Sequence, residues 1–211
     1  MTAEPATKTE PSKADTATAP AEKKQKVFTG TAGQLQTRME ELFQASRLVN
    51  SPTASEKSEA RAKIDKAVDW EQIAQTCLGS SNWKKQSASN RNAFRGLLKD
   101  VVERTAFSRM DKFWKNATST IDKIDVTGNA AHILAHFQST GEKSKMKLEY
   151  YFHKKGGEWL MDDVAYNGLR YSININEQLD SFLREKSFAE LLKSLRKRRD
   201  ELVTDAKSDA R

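Results

Sequence analysis

Two histidines four positions apart, His132 and His136, are the first residues whose spacing has chemical meaning. On a helix they would share one face, as metal ligands do. The Gly128-Asn129 turn and the apolar residues around it make the segment a strand, on which the imidazoles share a face but lie ~13 Å apart, beyond the reach of one ion. Asp162-Asp163 invites an acid and base pair, but neighbouring strand residues face opposite sides, so the carboxylates do not converge. The single cysteine, Cys77, excludes an internal disulfide, and its place in IAQTCLG on an apolar helix face makes it a buried thiol rather than a nucleophile. Arg196-Lys197-Arg198-Arg199 is the densest basic run. It reads either as phosphate-contacting side chains or as a solvated final turn whose cations complement the helix dipole, and no interleaved aromatics support base stacking. There is no G-x-S-x-G elbow, G-x-G-x-x-G or Walker loop, H-E-x-x-H or C-x-x-C pair. Nothing here argues for an enzyme, a metal or a cofactor.

Composition narrows the setting. A chain of 211 residues forms one domain with a real core more readily than two. The hydrophobic fraction is 37%, and no run approaches the ~18 apolar residues of a membrane span. A net charge of +7 favours encounter with anionic surfaces, nucleic acid or acidic lipid, without determining the fold. The first residues are almost wholly Ala, Thr, Pro, Lys and Glu, so 1–28 is expected to be a disordered polar tail. That tail lacks the apolar segment of a secretory signal, so an exported form would have lost its signal or carry it upstream. Residues 29–203 make the single domain, and 204–211 a polar C-terminal tail.

The elements that must position any site follow from periodicity. Leu35, Met39, Leu42 and Phe43 give Thr31 to Leu48 a helical stripe, with Thr31 placed to cap it. After Ser51-Pro52 comes a charged surface helix from Ala54 to Val68, then a short helix to Leu78 closed by Gly79. Ser87 to Trp114 is the longest helix, about 40 Å at ~1.5 Å per residue, with Phe94, Leu97, Leu98, Val101, Val102 and Thr105 on its apolar face. Thr120–Val126, Ala130–Phe137, Lys145–His153 and Glu158–Val164 read as four strands separated by Thr127-Gly128-Asn129, Thr140-Gly141 and Gly156-Gly157, an antiparallel meander. In the third strand Met146, Leu148, Tyr150 and Phe152 share the dry side, and Lys145, Lys147, Glu149, Tyr151 and His153 the wet side. Asn167-Gly168 then reverses the chain into a helix from Leu169 to Leu183, followed by another from Phe188 to Leu202. The fold class is α+β, a four-stranded antiparallel sheet packed against helices from both chain ends, loosely a cystatin-like or NTF2-like sheet with extra helices.

Two blocks carry a resemblance. The first is Asp69-Trp70-Glu71, Leu78-Gly79, Trp83, Arg91 and Phe94, then a helix closing at Thr105. The second is Trp159, Asp163-Val164, Gly168-Leu169, Asn174 and Gln178, then a helix with Phe188 and Leu191-Leu192-x-x-Leu195. Together, over roughly residues 31 to 200, the chain resembles the periplasmic phospholipid-carrier family of the Mla (maintenance of lipid asymmetry) pathway, also called the toluene-tolerance family. It departs from that family in the three residues Ser80 to Asn82 before Trp83, and in Ala106, Arg170, Ile175 and Asn176, where the family has Tyr, Ser, Tyr and Arg.

The resemblance implies a non-enzymatic carrier that moves phospholipid as cargo across the periplasm. Its implied partners are an inner-membrane ABC transporter complex and an outer-membrane lipoprotein associated with a porin, with no nucleic acid. It also implies that Asp163 belongs to the binding scaffold. The expected lipid-binding residues are Ile133, Leu148, Tyr150, Phe152 and Met161 on the sheet's dry face, with Leu98, Val101, Val102, Leu169 and Ile173 on the helices facing it. Two rivals remain: a cystatin-like small-molecule enzyme, favoured by a polar residue pointing into a cavity, and a basic adaptor with a filled core, favoured by steeply salt-dependent binding.

Overall fold

The computed structural model describes residues 26–114, 117–139 and 145–208. The tail expected at 1–28 lies outside them except for its last three residues, as do the Thr140-Gly141 turn and residues 209–211. Among the described residues the chain forms five helices, a sheet, and two closing helices. Helix α1 (Gly30–Leu48) buries Leu35, Met39, Leu42, Phe43 and Ala45, the stripe that its periodicity marks. It begins one residue ahead of Thr31, and Thr29 holds the cap position without a side-chain cap bond. Helix α2 (Ala54–Ala67) buries only Ala60, Ile64 and Ala67. This suits its charged surface character.

Helix α3 (Trp70–Leu78) is defined at both ends. Asp69 accepts the Gln72 N–H at 3.0 Å, and the Gly79 N–H donates to the carbonyls of Gln75 and Thr76. Gly79 sits at φ 78°, and a Cβ added there would lie 2.9 Å from Asn176 Nδ2, which donates to the Cys77 carbonyl at 3.1 Å. Backbone strain and collision therefore act together. Gly79→Ala is expected to lower stability by about 1–3 kcal/mol in chemical denaturation. Helix α4 (Ser80–Lys84) is a single turn that buries Trp83, and α5 (Ala88–Trp114) is the long helix.

The sheet has five strands rather than four, all antiparallel and in sequence order: β1 (Ala117–Thr127), β2 (Ala130–Ser139), β3 (Met146–Lys155), β4 (Glu158–Tyr166) and β5 (Leu169–Arg170). The extra strand comes from the Asn167-Gly168 turn. Both residues have positive φ, 52° and 76°, the geometry of a tight two-residue hairpin loop. Leu169 therefore pairs with Tyr166, and α6 (Tyr171–Glu185) starts two residues later than the periodicity suggests. Helix α7 runs from Phe188 to Ser208, beyond the expected end at Leu202.

Two apolar clusters hold the domain together. One joins α1, α2 and the dry face of the sheet through Phe43, Ile121, Ile133, Phe137, Tyr150, Phe152 and Trp159. The other joins α3, α4, α5 and α7 through Cys77, Leu78, Trp83, Phe94, Leu98, Leu191 and Leu192. Ile73 packs against both. Beyond the reach of β5, Val68 bridges Met161 and the Asp69 N–H donates to the Met161 carbonyl at 2.9 Å, so the start of α3 is tied to the edge of β4.

Candidate ligand-binding site

Strand register arranges the dry face in cross-strand rows. Val126, Ala131, Phe152 and Met161 make one row, and Ile124, Ile133, Tyr150 and Val164 the next. The third runs Ile121, Ala135, Leu148, Tyr166, Leu169. Along that third row exposure climbs from 0% at Ile121 and Ala135, through half-buried Leu148, to 54% at Tyr166 and 70% at Leu169. Helix α1 closes the buried end, where the Phe43 ring stands edge-on to Phe137 at 5.2 Å and to Tyr150 at 5.9 Å. At the β5 end the same apolar surface emerges into solvent. An apolar strip continuous from core to water is unusual, since exposed apolar area has a free-energy cost unless something covers it.

The expected site residues divide. Ile133, Leu148, Tyr150, Phe152 and Met161 all lie on or against the sheet-side cluster. Leu98 and Val102 belong instead to the α3/α5/α7 cluster, and Val101 is half-buried. Leu169 and Ile173 are exposed, the latter at 48%, rather than facing an interior, because the hairpin carries Leu169 outward as strand and α6 starts with its first turn in solvent. Sequence reasoning passed over Tyr166, which lies between Leu148 and Leu169 in the row.

Opposite the sheet, α5 is neither sealed nor free: every residue from Val101 to Ala106 is half-buried. A helix packed on one side shows buried and exposed positions in turn. Here Glu103 Oε1 and Arg104 Nε are desolvated yet have no hydrogen-bond partner. Burial raises the Glu103 carboxyl to about 7, with Asp65 adding to the rise and Lys99, 3.9 Å away, opposing it. The folded chain thus holds this proton at pH values where the unfolded chain, with a pKa near 4.5, has released it, so Glu103 costs stability as pH rises from about 4.5 to 7. Glu103→Gln is expected to gain on the order of 2 kcal/mol at pH 8 and almost nothing at pH 4. Thermal melts at the two pH values check this, and an equal gain at both contradicts it.

The wet face is a network of polar pairs. Each histidine faces carboxylate: His132 with Glu149 at 2.7 Å, His136 with Asp122 at 2.8 Å, and His153 with Asp162 at 2.9 Å and Asp69 at 3.2 Å. His132 and His136 thus take separate partners, and among the described residues no group of three His, Cys, Asp or Glu side chains is placed to hold a metal ion. Burial tends to raise the Asp69 carboxyl, but hydrogen bonds from Lys155 and the Gln72 N–H outweigh it and hold Asp69 below its usual range.

Asp162 and Asp163 do not follow simple alternation. The register shifts between Tyr151 and Phe152, leaving Asp162 as the extra residue of a bulge. Asp162 turns to His153. Asp163, 4% exposed, is the hub of the β4–β5–α6 junction. It accepts from the backbone N–H groups of Val164 at 2.9 Å and Ser172 at 3.1 Å, from Ser172 Oγ at 2.5 Å and from Arg170 Nε at 2.7 Å. The Arg170 guanidinium also lies 4.2 Å from the centre of the Tyr151 ring, on which His132 stacks.

Elsewhere the polar groups are largely spent. A cleft of about 470 Å³ between α2, α3 and α5 carries Asp65, Glu71, Arg95 and Lys99, already joined as Arg95–Glu71 (2.5 Å) and Lys99–Asp65 (2.6 Å). In the basic run on α7, Lys197 and Arg198 pair with Glu201, and Arg199 with Asp200. Cys77 is fully buried, and burial, reinforced by the charge of Asp163, pushes its thiol up to about 12. Such a thiol is a packing group.

Fold and site together define a helix-backed antiparallel sheet protein with an apolar face that opens to solvent at one edge, the architecture of a binding scaffold. Residues 34–197 match the family described as MlaC protein, and the chain belongs to that family. Among solved structures, a phospholipid-binding protein from Ralstonia solanacearum, in complex with a phospholipid, superposes with a TM-score of 0.68. It is 16% identical, and the match covers 80% of this chain and 96% of that one. No curated protein sequence matches the chain.

Proposed function

We propose that this chain is a periplasmic phospholipid carrier without enzymatic activity, the soluble component of an ABC-type transport system that moves lipid between the outer and inner membranes. The observation that carries this reading is the apolar row from Ile121 to Leu169, a surface that stays apolar from the buried core out to the solvent-exposed lip. Family membership and the phospholipid in the Ralstonia relative support it. The acyl chains lie along Ile133, Leu148, Tyr150, Phe152 and Met161, with Val101 on the facing helix, Leu98 and Val102 anchoring that helix in the other cluster, and Leu169 and Ile173 at the lip. The headgroup stays in water. Apolar walls discriminate weakly among lipids, so headgroup selectivity is low.

Physics makes such a carrier necessary. At ~0.8 kcal/mol per methylene, an acyl chain of about sixteen carbons costs on the order of ten kcal/mol in water, and unassisted crossing is slow. By family resemblance, the partners are an inner-membrane ABC complex and an outer-membrane lipoprotein–porin complex. The test is to strip the protein of lipid, add a phospholipid with a fluorescent acyl chain, and titrate. Saturable loading, displaced by unlabelled phospholipid, is the expected outcome; absence of saturable loading ends the proposal.

A further inference from the structure

Four of the exposed large hydrophobic side chains among the described residues, Tyr166, Leu169, Tyr171 and Ile173, fall within one short stretch, whereas Val27, Leu48 and Val126 are dispersed. That stretch is the β4–β5 hairpin and the first turn of α6. Tyr166 and Leu169 are direct cross-strand partners on either side of the Asn167-Gly168 turn, so the hairpin tip presents both at once.

Within the tip Arg170 is paired with buried Asp163, and among the described residues the free cations come from the neighbouring strand. Because β3 and β4 are antiparallel and Leu148 pairs with Tyr166, the start of β3 lies alongside the turn, bringing exposed Lys145 and Lys147 to the same end of the sheet. Tyrosines and aliphatic side chains on one face of the sheet's end, with two lysines on the other face of the same end, suit the boundary between headgroups and acyl chains: the rings tolerate a half-wet site and the cations meet anionic headgroups. The net charge of +7 adds attraction at longer range.

We infer that the β4–β5 hairpin tip, with Lys145 and Lys147, is a docking surface for an anionic lipid bilayer, so that the open end of the apolar row meets the membrane directly. This inference rests on the proposed lipid carriage for its purpose, but the docking is measurable without it. Each cation near an anionic surface contributes roughly a fivefold gain in partitioning, and the buried side chains a comparable one.

The test is co-sedimentation of the full chain with vesicles of phosphatidylglycerol and phosphatidylethanolamine, beside vesicles of phosphatidylcholine alone. Binding to the anionic vesicles, weakened by salt and much weaker on phosphatidylcholine, is expected. Lys145→Glu with Lys147→Glu should reduce it at least about tenfold while leaving the melting temperature and co-purifying lipid unchanged, and Tyr166→Ser with Leu169→Ser should reduce it as much at an unchanged melting temperature. All four positions are exposed, so folding is not at issue. Failure of the native chain to bind vesicles, or binding indifferent to both double variants, overturns the inference and leaves the patch to a protein partner. Extractable phospholipid without vesicle binding sinks docking alone; vesicle binding by protein that neither yields phospholipid nor takes it up when supplied sinks carriage alone.

Discussion

Asp163→Ala is expected to destabilise the protein by about 3–5 kcal/mol and lower its melting temperature by roughly 10 °C. The size of the effect comes from what the substitution leaves behind. Ser172 is fully buried, and its N–H and hydroxyl would both lose their acceptor, while Arg170 would lose its anion. Each buried polar group stranded in this way costs on the order of 1–3 kcal/mol. Arg170→Ser, which restores the residue usual in the family, should cost no more than about 1 kcal/mol, because the Arg170 side chain is 36% exposed and water can replace it. Equilibrium unfolding of the two variants is the measurement. Equal losses would mean that the ion pair, not the hydrogen-bonded turn into α6, is what Asp163 provides.

Leu148→Asp is expected to have the largest effect on cargo. Leu148 is half-buried midway along the third row, between Ala135 in the core and Tyr166 at the lip. A carboxylate there must lose its hydration to meet an acyl chain, a penalty of several kcal/mol. Lipid affinity should fall on the order of 100-fold, whereas Leu148→Met should retain it. Quantifying bound phospholipid in the two purified variants, with circular dichroism as a check on folding, distinguishes a blocked path from a disrupted fold. Equal loading of both variants would place the cargo elsewhere.

Much of this structure was legible in the residues. The α1 stripe, the extent of α5 and the dry side of β3 follow from periods of 3.6 and 2, and the stop of α3 from the backbone freedom of Gly79, all imposed by local sterics whatever the tertiary context, whereas the cap expected at Thr31 did not form. The fifth strand was hidden because Leu169 fits a helical stripe with Ile173, and periodicity over so short a segment cannot separate strand from helix. Asn167-Gly168 between Tyr166 and Leu169 was the signal that could have revealed it, being the dipeptide of a two-residue hairpin. Asp162 and Asp163 do take separate partners, as expected, but through a bulge and not through simple alternation. A bulge is set by the register of two strands against each other, which no single strand reports. The same limit applies to the site: apolar type marked Leu98 and Leu148 alike, but only packing assigned one to the α5/α7 core and the other to the sheet.

Lipid carriage requires that a phospholipid cover the apolar row where it opens toward Tyr166 and Leu169. Mass spectrometry of an organic extract from the natively purified, undenatured protein tests this most directly. The account predicts phospholipid at about one molecule per chain, reduced in Leu148→Asp; an extract free of phospholipid, from protein that also takes up none when it is supplied, would contradict it.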